Sequence, residues 1–207
     1  MNDQAFATAL AELERGGVVA AATESFFGLL ADVSRQSAVE RLLSLKPRGS
    51  DKGVPVLLAD RASWAGLVQG EIPALAERFA DACWPGQLNI ALPVGPGVAR
   101  GIALDRTIAV RVPGACPAAE LVRRFGRPLS ATSANLPGAP PRLSDAEVRA
   151  EFAEAIARGA LHVLPGRSPG GRPSTVVVLE GAGFRVTREA AVSRAELEAI
   201  AGRTATP

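Results

Sequence analysis

The 207-residue sequence has no tyrosine, one histidine, one methionine and two cysteines, and only two of its 23 basic residues are lysines. The single histidine, His162, has no acidic or cysteine neighbour in its strand-like stretch, which argues against a catalytic triad and against a zinc site. Cys83 and Cys116 lack metal spacing and read as small buried hydrophobes of a reduced, cytoplasmic protein. No apolar run approaches the ~20 residues that span a bilayer, so no membrane association is expected. The opening MNDQAFATALAELERGG is acidic and helical in pattern, unlike a secretory signal. A formal net charge of +2 offers no basic stripe for wrapping long nucleic acid. Walker A, GxGxxG, HExxH and nucleophile-elbow patterns are all missing.

What is present is a globular composition, 47% apolar and 21% charged, with enough chain for a self-sufficient core. The patterning predicts helices over 3–15, 37–45, 60–68 and 71–82, one opening at Pro117, one from a Ser144–Glu147 capping box to about Arg158, and a closing helix capped by Ser193 and Glu196. Strands are predicted at 18–22, 54–58, QLNIALP, 107–112, PLSAT (128–132), LHVLP, STVVVL and GFRVTR. Helices and strands mixed throughout, with hairpin-length gaps near the end, predict one α/β domain around a twisted mixed sheet. That domain is expected over residues 1–201, with 202–207 as a frayed tail. Pro165–Pro173, rich in glycine and proline, reads as a mobile loop, and its Arg167 and Arg172 suit a cover over phosphates.

Four stretches could carry chemistry. Both lysines fall in KPRGSDKG, where Lys46, Arg48 and Lys52 follow a helix end. They either complement the helix dipole or cradle phosphate or carboxylate groups, and spacing alone leaves both open. Ser130–Gly138 (SATSANLPG) is a strand end rich in uncharged donors, or an ordinary Ser/Thr turn. Thr23 and Phe27 in TESFFGL would meet a small ligand at a strand end, or simply pass into a loop. Arg111 interrupts an apolar strand, with Ser174, Thr175 and Arg188 in later strands.

These stretches resemble the YrdC-like threonylcarbamoyl-AMP synthase family. Its K-x-R … S-x-N signature corresponds to Lys46-Pro47-Arg48 and Ser133-Ala134-Asn135. TESFFGL, WPGQLNIALP, AVRVP, SATSANLPG and PSTVVVL follow in family order. Three positions depart from the pattern: Ala22 stands where proline is usual, Asn89 where threonine is common, and Phe27 where tyrosine is frequent. The chain resembles the short, single-domain form.

The resemblance implies a twisted α/β sheet around a large basic cavity. It also implies synthesis of threonylcarbamoyl-AMP and pyrophosphate from L-threonine, bicarbonate and ATP, with Mg²⁺ accompanying the nucleotide. Downstream tRNA threonylcarbamoyl-transfer proteins would be partners, with a weak tRNA contact. By the same resemblance Lys46, Arg48, Lys52, Ser133, Asn135, Arg142 and Arg188 would bind ATP. Thr23, Phe27, Arg111, Ser174 and Thr175 would bind L-threonine, and no residue would act as a covalent nucleophile. The rival readings are a double-stranded RNA-binding module of the same fold and a carbamoyl-handling domain of the kind fused into hydrogenase maturation proteins.

Overall fold

The structure is a computed structural model that describes residues 3–46 and 53–202. Arg48 and Lys52, and the tail beyond Gly202, lie outside the described residues. The chain opens with α1 (Asp3–Glu14), which buries Phe6, Ala9 and Leu13 along one face. Gly16 ends it in the left-handed conformation at φ 73°, where a side chain would be strained. β1 (Val19–Ala22) and β2 (Phe27–Leu30) form an antiparallel hairpin, and α2 (Gln36–Leu45) follows. Then come β3 (Val56–Leu57), α3 (Ala74–Cys83), β4 (Leu88–Pro93), β5 (Thr107–Arg111) and α4 (Pro117–Phe125). The second half holds β6 (Leu129–Ser130), β7 (Thr132–Ser133), α5 (Asp145–Glu151), α6 (Ala153–Ala157), β8 (His162–Val163), β9 (Thr175–Glu180), β10 (Gly183–Arg188) and α7 (Arg194–Ala201).

The strands form two mixed sheets, ordered β7-β2-β1-β8 and β10-β9-β4-β5-β3-β6. Parallel pairs (β1 with β8, β3 with β5, β4 with β9) lie among antiparallel ones. Alternation along the strands sorts side chains to opposite faces. On the four-stranded sheet, Val19, Ala21 and Leu30 pack against Phe6, Leu13, Leu121 and Phe125 of α1 and α4. On the six-stranded sheet, Leu88, Ile90, Leu92, Ile108, Val110 and Val177 join the main core with Leu75, Phe79 and Leu197 of α3 and α7. The residues between them, Asn89, Ala91, Thr107, Ala109, Arg111, Val176 and Val178, face a cavity. One face of this sheet is therefore uniformly apolar, and the other mixes alanine and valine with polar and charged side chains.

The expected mixed α/β class is observed, with several local differences. TESFFGL, read as a strand end running into a loop, instead turns at Thr23–Phe26 and begins β2. The Thr23 amide and hydroxyl both donate to the Phe26 carbonyl, at 3.1 and 2.7 Å. The helix expected over 60–68 is a single 3-10 turn at Ala62–Trp64. There the Asp60 carboxylate accepts from both the amide and the hydroxyl of Ser63, and Gly66 and Gly70 discourage propagation. The helix expected to run to Arg158 breaks at Phe152 into α5 and α6.

PLSAT is not one strand. Its β6 half pairs with β3 of the large sheet, and the adjoining β7 pairs with β2 of the small one. Pro165–Pro173 is not loosely attached either. The Ser168 and Gly170 amides donate to the carbonyls of Leu143 and Ser25, at 2.7 and 2.9 Å, and Gly166 accepts from Asp145. The capping boxes at Ser144 and Ser193 are both formed as expected.

Candidate active site

A cavity of about 500 Å³ lies between the two sheets. Its space comes from small residues: Gly28, Ala91, Ala109 and Ala131 stand where larger side chains would fill it. Phe27 and Ser133 reach it from the small sheet with Thr23 just after β1, and Arg111 and Arg188 from the large one with Ser174 just before β9. Among the described lining residues the formal charges are those of Arg111 and Arg188.

Arg111 is 4% exposed and makes a two-pronged ion pair with Glu24, Nη1–Oε1 at 2.6 Å and Nη2–Oε2 at 3.0 Å. Its Nη1 also donates to the Gly86 carbonyl at 3.0 Å, and Glu24 Oε1 accepts from the Gly114 amide at 2.7 Å. Burial by itself would raise the Glu24 pKa. The Arg111 hydrogen bonds and charge, with help from backbone amides, outweigh it and hold the carboxyl below its ordinary range. On the far side of Glu24, burial and that carboxylate push the Cys116 thiol up to about 11. Its sulfur caps α4 by accepting from the Ala119 amide. Cys116 thus packs as a small, inert side chain.

Arg188 donates Nε to the Ser174 carbonyl at 2.8 Å. Burial first, then the neighbouring Arg111 charge, lower its pKa. With Glu24 cancelling Arg111, this corner of the cavity carries one positive charge more than negative.

At the rim, Lys46 follows α2 and is 7% exposed. Its Nζ donates to the Ser133 carbonyl and hydroxyl, at 2.6 and 2.9 Å, and to Asn135 Oδ1, at 2.9 Å. The K and S-x-N portions of the signature, 87–89 residues apart, are joined directly. Asn135 also donates Nδ2 to the carbonyls of Leu136 and Ala139, folding the loop that follows.

Four of the described candidates do not line the cavity: Lys46 and Asn135 meet it only through Ser133, and Arg142 and Thr175 are held elsewhere. Arg142 is bound to Glu151, Nε–Oε2 2.6 Å. Thr175, the first residue of β9, is fully buried, whereas Ser174 just before the strand lines the cavity. Its hydroxyl donates to the Val192 carbonyl at 2.6 Å and accepts from the Ala190 and Val192 amides. Thr175 therefore braces the 190–192 segment and does not line the cavity.

Sequence reasoning missed Glu24 and the lining residue Thr132, and saw Asn89 only as a departure from a pattern. Glu24 had a usable signal. A carboxylate at a buried strand end needs a cation, and Arg111 in an apolar strand needs an anion.

The Sua5/YciO/YrdC family, described as telomere recombination, matches residues 11–190. A threonylcarbamoyl-AMP synthase of Idiomarina loihiensis is 40% identical over 142 residues, 68% of this chain and 76% of its own. The chain belongs to the Sua5/YciO/YrdC family. Another relative, the threonylcarbamoyl-AMP synthase of Klebsiella pneumoniae, is 36% identical over 159 residues, covering 75% of this chain and 83% of its own. Among solved structures, P. abyssi Sua5 complexed with L-threonine superposes with a TM-score of 0.86 at 29% identity, over 98% of this chain. This chain spans only 58% of that protein. E. coli YciO shares the Sua5/YciO/YrdC fold, with a TM-score of 0.78 at 23% identity over 92% of this chain and 91% of its own.

Among the described residues, no group of three His, Cys, Asp or Glu side chains could hold a metal, and no helix is long and apolar enough to cross a membrane.

Proposed function

We propose that this member of the Sua5/YciO/YrdC family joins L-threonine, bicarbonate and ATP into threonylcarbamoyl-AMP, releasing pyrophosphate and water. The observation that carries the reading is the direct bonding of Lys46 to Ser133 and Asn135 at the rim of a cavity with one surplus positive charge. The relatives named as threonylcarbamoyl-AMP synthases support it, and so does the neighbour complexed with L-threonine. Nothing comparable favours a double-stranded RNA-binding module.

In this reading the carboxylate of threonine is drawn to the Arg111 and Arg188 corner, with Thr23 and Ser174 as polar contacts and Phe27 as an apolar wall. The amine attacks the carbon of bicarbonate, a C–N bond forms and water leaves, giving the carbamate. A carbamate oxygen then attacks the α-phosphorus of ATP and pyrophosphate departs. The carbamate and the phosphates are both anionic, so positive charge must offset their repulsion. Lys46, Arg48, Lys52 and Arg188 supply it, Ser133 and Asn135 shape the nucleotide end, and Arg142 reaches it on release from Glu151. Mg²⁺ enters as part of the ATP substrate. Catalysis rests on orientation and electrostatics, without a covalent nucleophile. The product would pass, in the cytoplasm, to proteins that transfer the threonylcarbamoyl group to tRNA.

The test is incubation with ATP, labelled bicarbonate and L-threonine. Label should enter a nucleotide product with matching pyrophosphate release, and omission of either threonine or bicarbonate should abolish both. Pyrophosphate release indifferent to bicarbonate would sink the proposal.

A further inference from the structure

Asn89 lies on the cavity floor, 1% exposed, and its two amide atoms are treated unequally. Nδ2 makes a long hydrogen bond to the Thr175 carbonyl at 3.4 Å, and Oδ1 has no partner. The orientation is fixed chemically. The Thr175 carbonyl can only accept, so turning the amide over would set two acceptors against each other. The free atom is therefore an acceptor waiting for a donor. Thr132 Oγ1, across the cavity, is also unpartnered, but a hydroxyl rotates and does not specify which kind of group it awaits.

Strand register places this acceptor between two cations. Asn89 and Arg188 both pair with Val176 of β9, from opposite sides. On the other flank Arg111 directly follows Val110, the β5 partner of Ile90. Arg188, Val176, Asn89 and Arg111 thus form one row across four strands. The hydrogen bonds of Arg111 go to Glu24 and Gly86, and that of Arg188 to Ser174, so neither arginine serves Asn89.

We propose that Asn89 Oδ1 accepts an N–H of the α-amino group of the amino-acid substrate. The inference rests on the threonine reading above and adds a residue to it. In an α-amino acid one carbon separates carboxylate from amine, so a carboxylate on either arginine carries its amine to the middle of the row. The surplus positive charge of this corner disfavours the ammonium form. A carboxylate at position 89 would hold the amine's proton. A neutral amide oxygen instead takes one N–H and leaves the nitrogen lone pair free to attack the carbon of bicarbonate.

The test compares L-threonine with (R)-3-hydroxybutyrate, which keeps the carboxylate and hydroxyl but lacks the amine. Binding is measured by calorimetry on wild type and on Asn89→Leu, which matches asparagine in size. Wild type should prefer threonine by about tenfold, the scale on which a buried acceptor left without its donor costs affinity. Asn89→Leu should lose about that factor for threonine and keep wild-type affinity for hydroxybutyrate and for ATP. Equal losses for both acids, or no loss for threonine, would overturn the assignment. Should Asn89→Leu fail to fold, the wild-type ratio still decides, because equal wild-type affinity for the two acids removes the amine contact. A wild type that neither binds threonine nor releases pyrophosphate with it would overturn the synthase reading instead.

Discussion

The Glu24–Arg111 pair ties the hairpin turn before β2 to the floor of the cavity, and its protonation has a defined sign. The folded state depresses the Glu24 pKa. The pair's contribution is therefore full above the unfolded carboxyl value of about 4.3 and is lost as pH falls through the lower folded value. Glu24→Gln should cost ~3 kcal/mol at neutral pH, the lower end for breaking a buried pair, because glutamine still accepts from Gly114. Melting curves from pH 7 down to 3 should show wild type converging on the variant in acid; parallel curves would remove Glu24 from that role. Lys46 behaves differently from the expectation drawn from its position alone. A lysine at a helix end was expected either to help the dipole or to grip phosphate. Here it is also a tie between α2 and the S-x-N segment. Lys46→Ala should lower the melting temperature as well as ATP affinity, and an unchanged melting temperature would refute the tie. Sequence reasoning found the residue types that converge on the cavity, because their signature spacing was visible. It could not see which partners each side chain holds without ligand, since those bonds join residues about 90 positions apart.

The turn between α3 and β4 shows how an element end serves the site. A Cβ built on Gly86 would lie 2.4 Å from the Cys83 carbonyl oxygen, and that backbone has nowhere easy to go. The Gly86 carbonyl is also a partner of Arg111. Gly86→Ala should therefore destabilise by about 1–3 kcal/mol through overpacking and weaken threonine binding by displacing Arg111. Chemical denaturation beside a threonine titration checks both, and an alanine variant as stable and as tight as wild type would refute the constraint. Long periodic elements such as α1, α2, β4 and β9 were legible because apolar spacing alone defines them. β2 was not, because Gly28 and the turn-forming Thr23 mask a strand whose stability comes from pairing with β1 and β7. The two short strands in PLSAT were read as one, since the passage from one sheet to the other leaves no periodic mark. Residues 60–68 read as a helix because Trp64, Leu67 and Val68 fall at helical spacing, but only the 3-10 turn at Ala62–Trp64 forms.

For the molecule as a whole, fold class and family-wide motifs were legible, whereas the division into two sheets was not, because it depends on pairings far apart in the chain. The cavity walls come from both sheets, so each substrate should stabilise the entire fold by mass action. At ligand concentrations near a hundredfold above Kd the gain is about 2.7 kcal/mol, or roughly 5–10 °C for a chain of this length. Threonine and ATP should each raise the melting temperature, and a flat response to both would contradict a shared cavity. The passage from β6 to β7 carries a mechanical consequence. Ala131, between these strands, lines the cavity where the backbone crosses from one sheet to the other. A bound substrate there works as a rivet through two plates at the point where they are already hinged. Amide hydrogens in β2 and in β5 should then slow their exchange together on binding, although no hydrogen-bonded strand pairing joins the two directly.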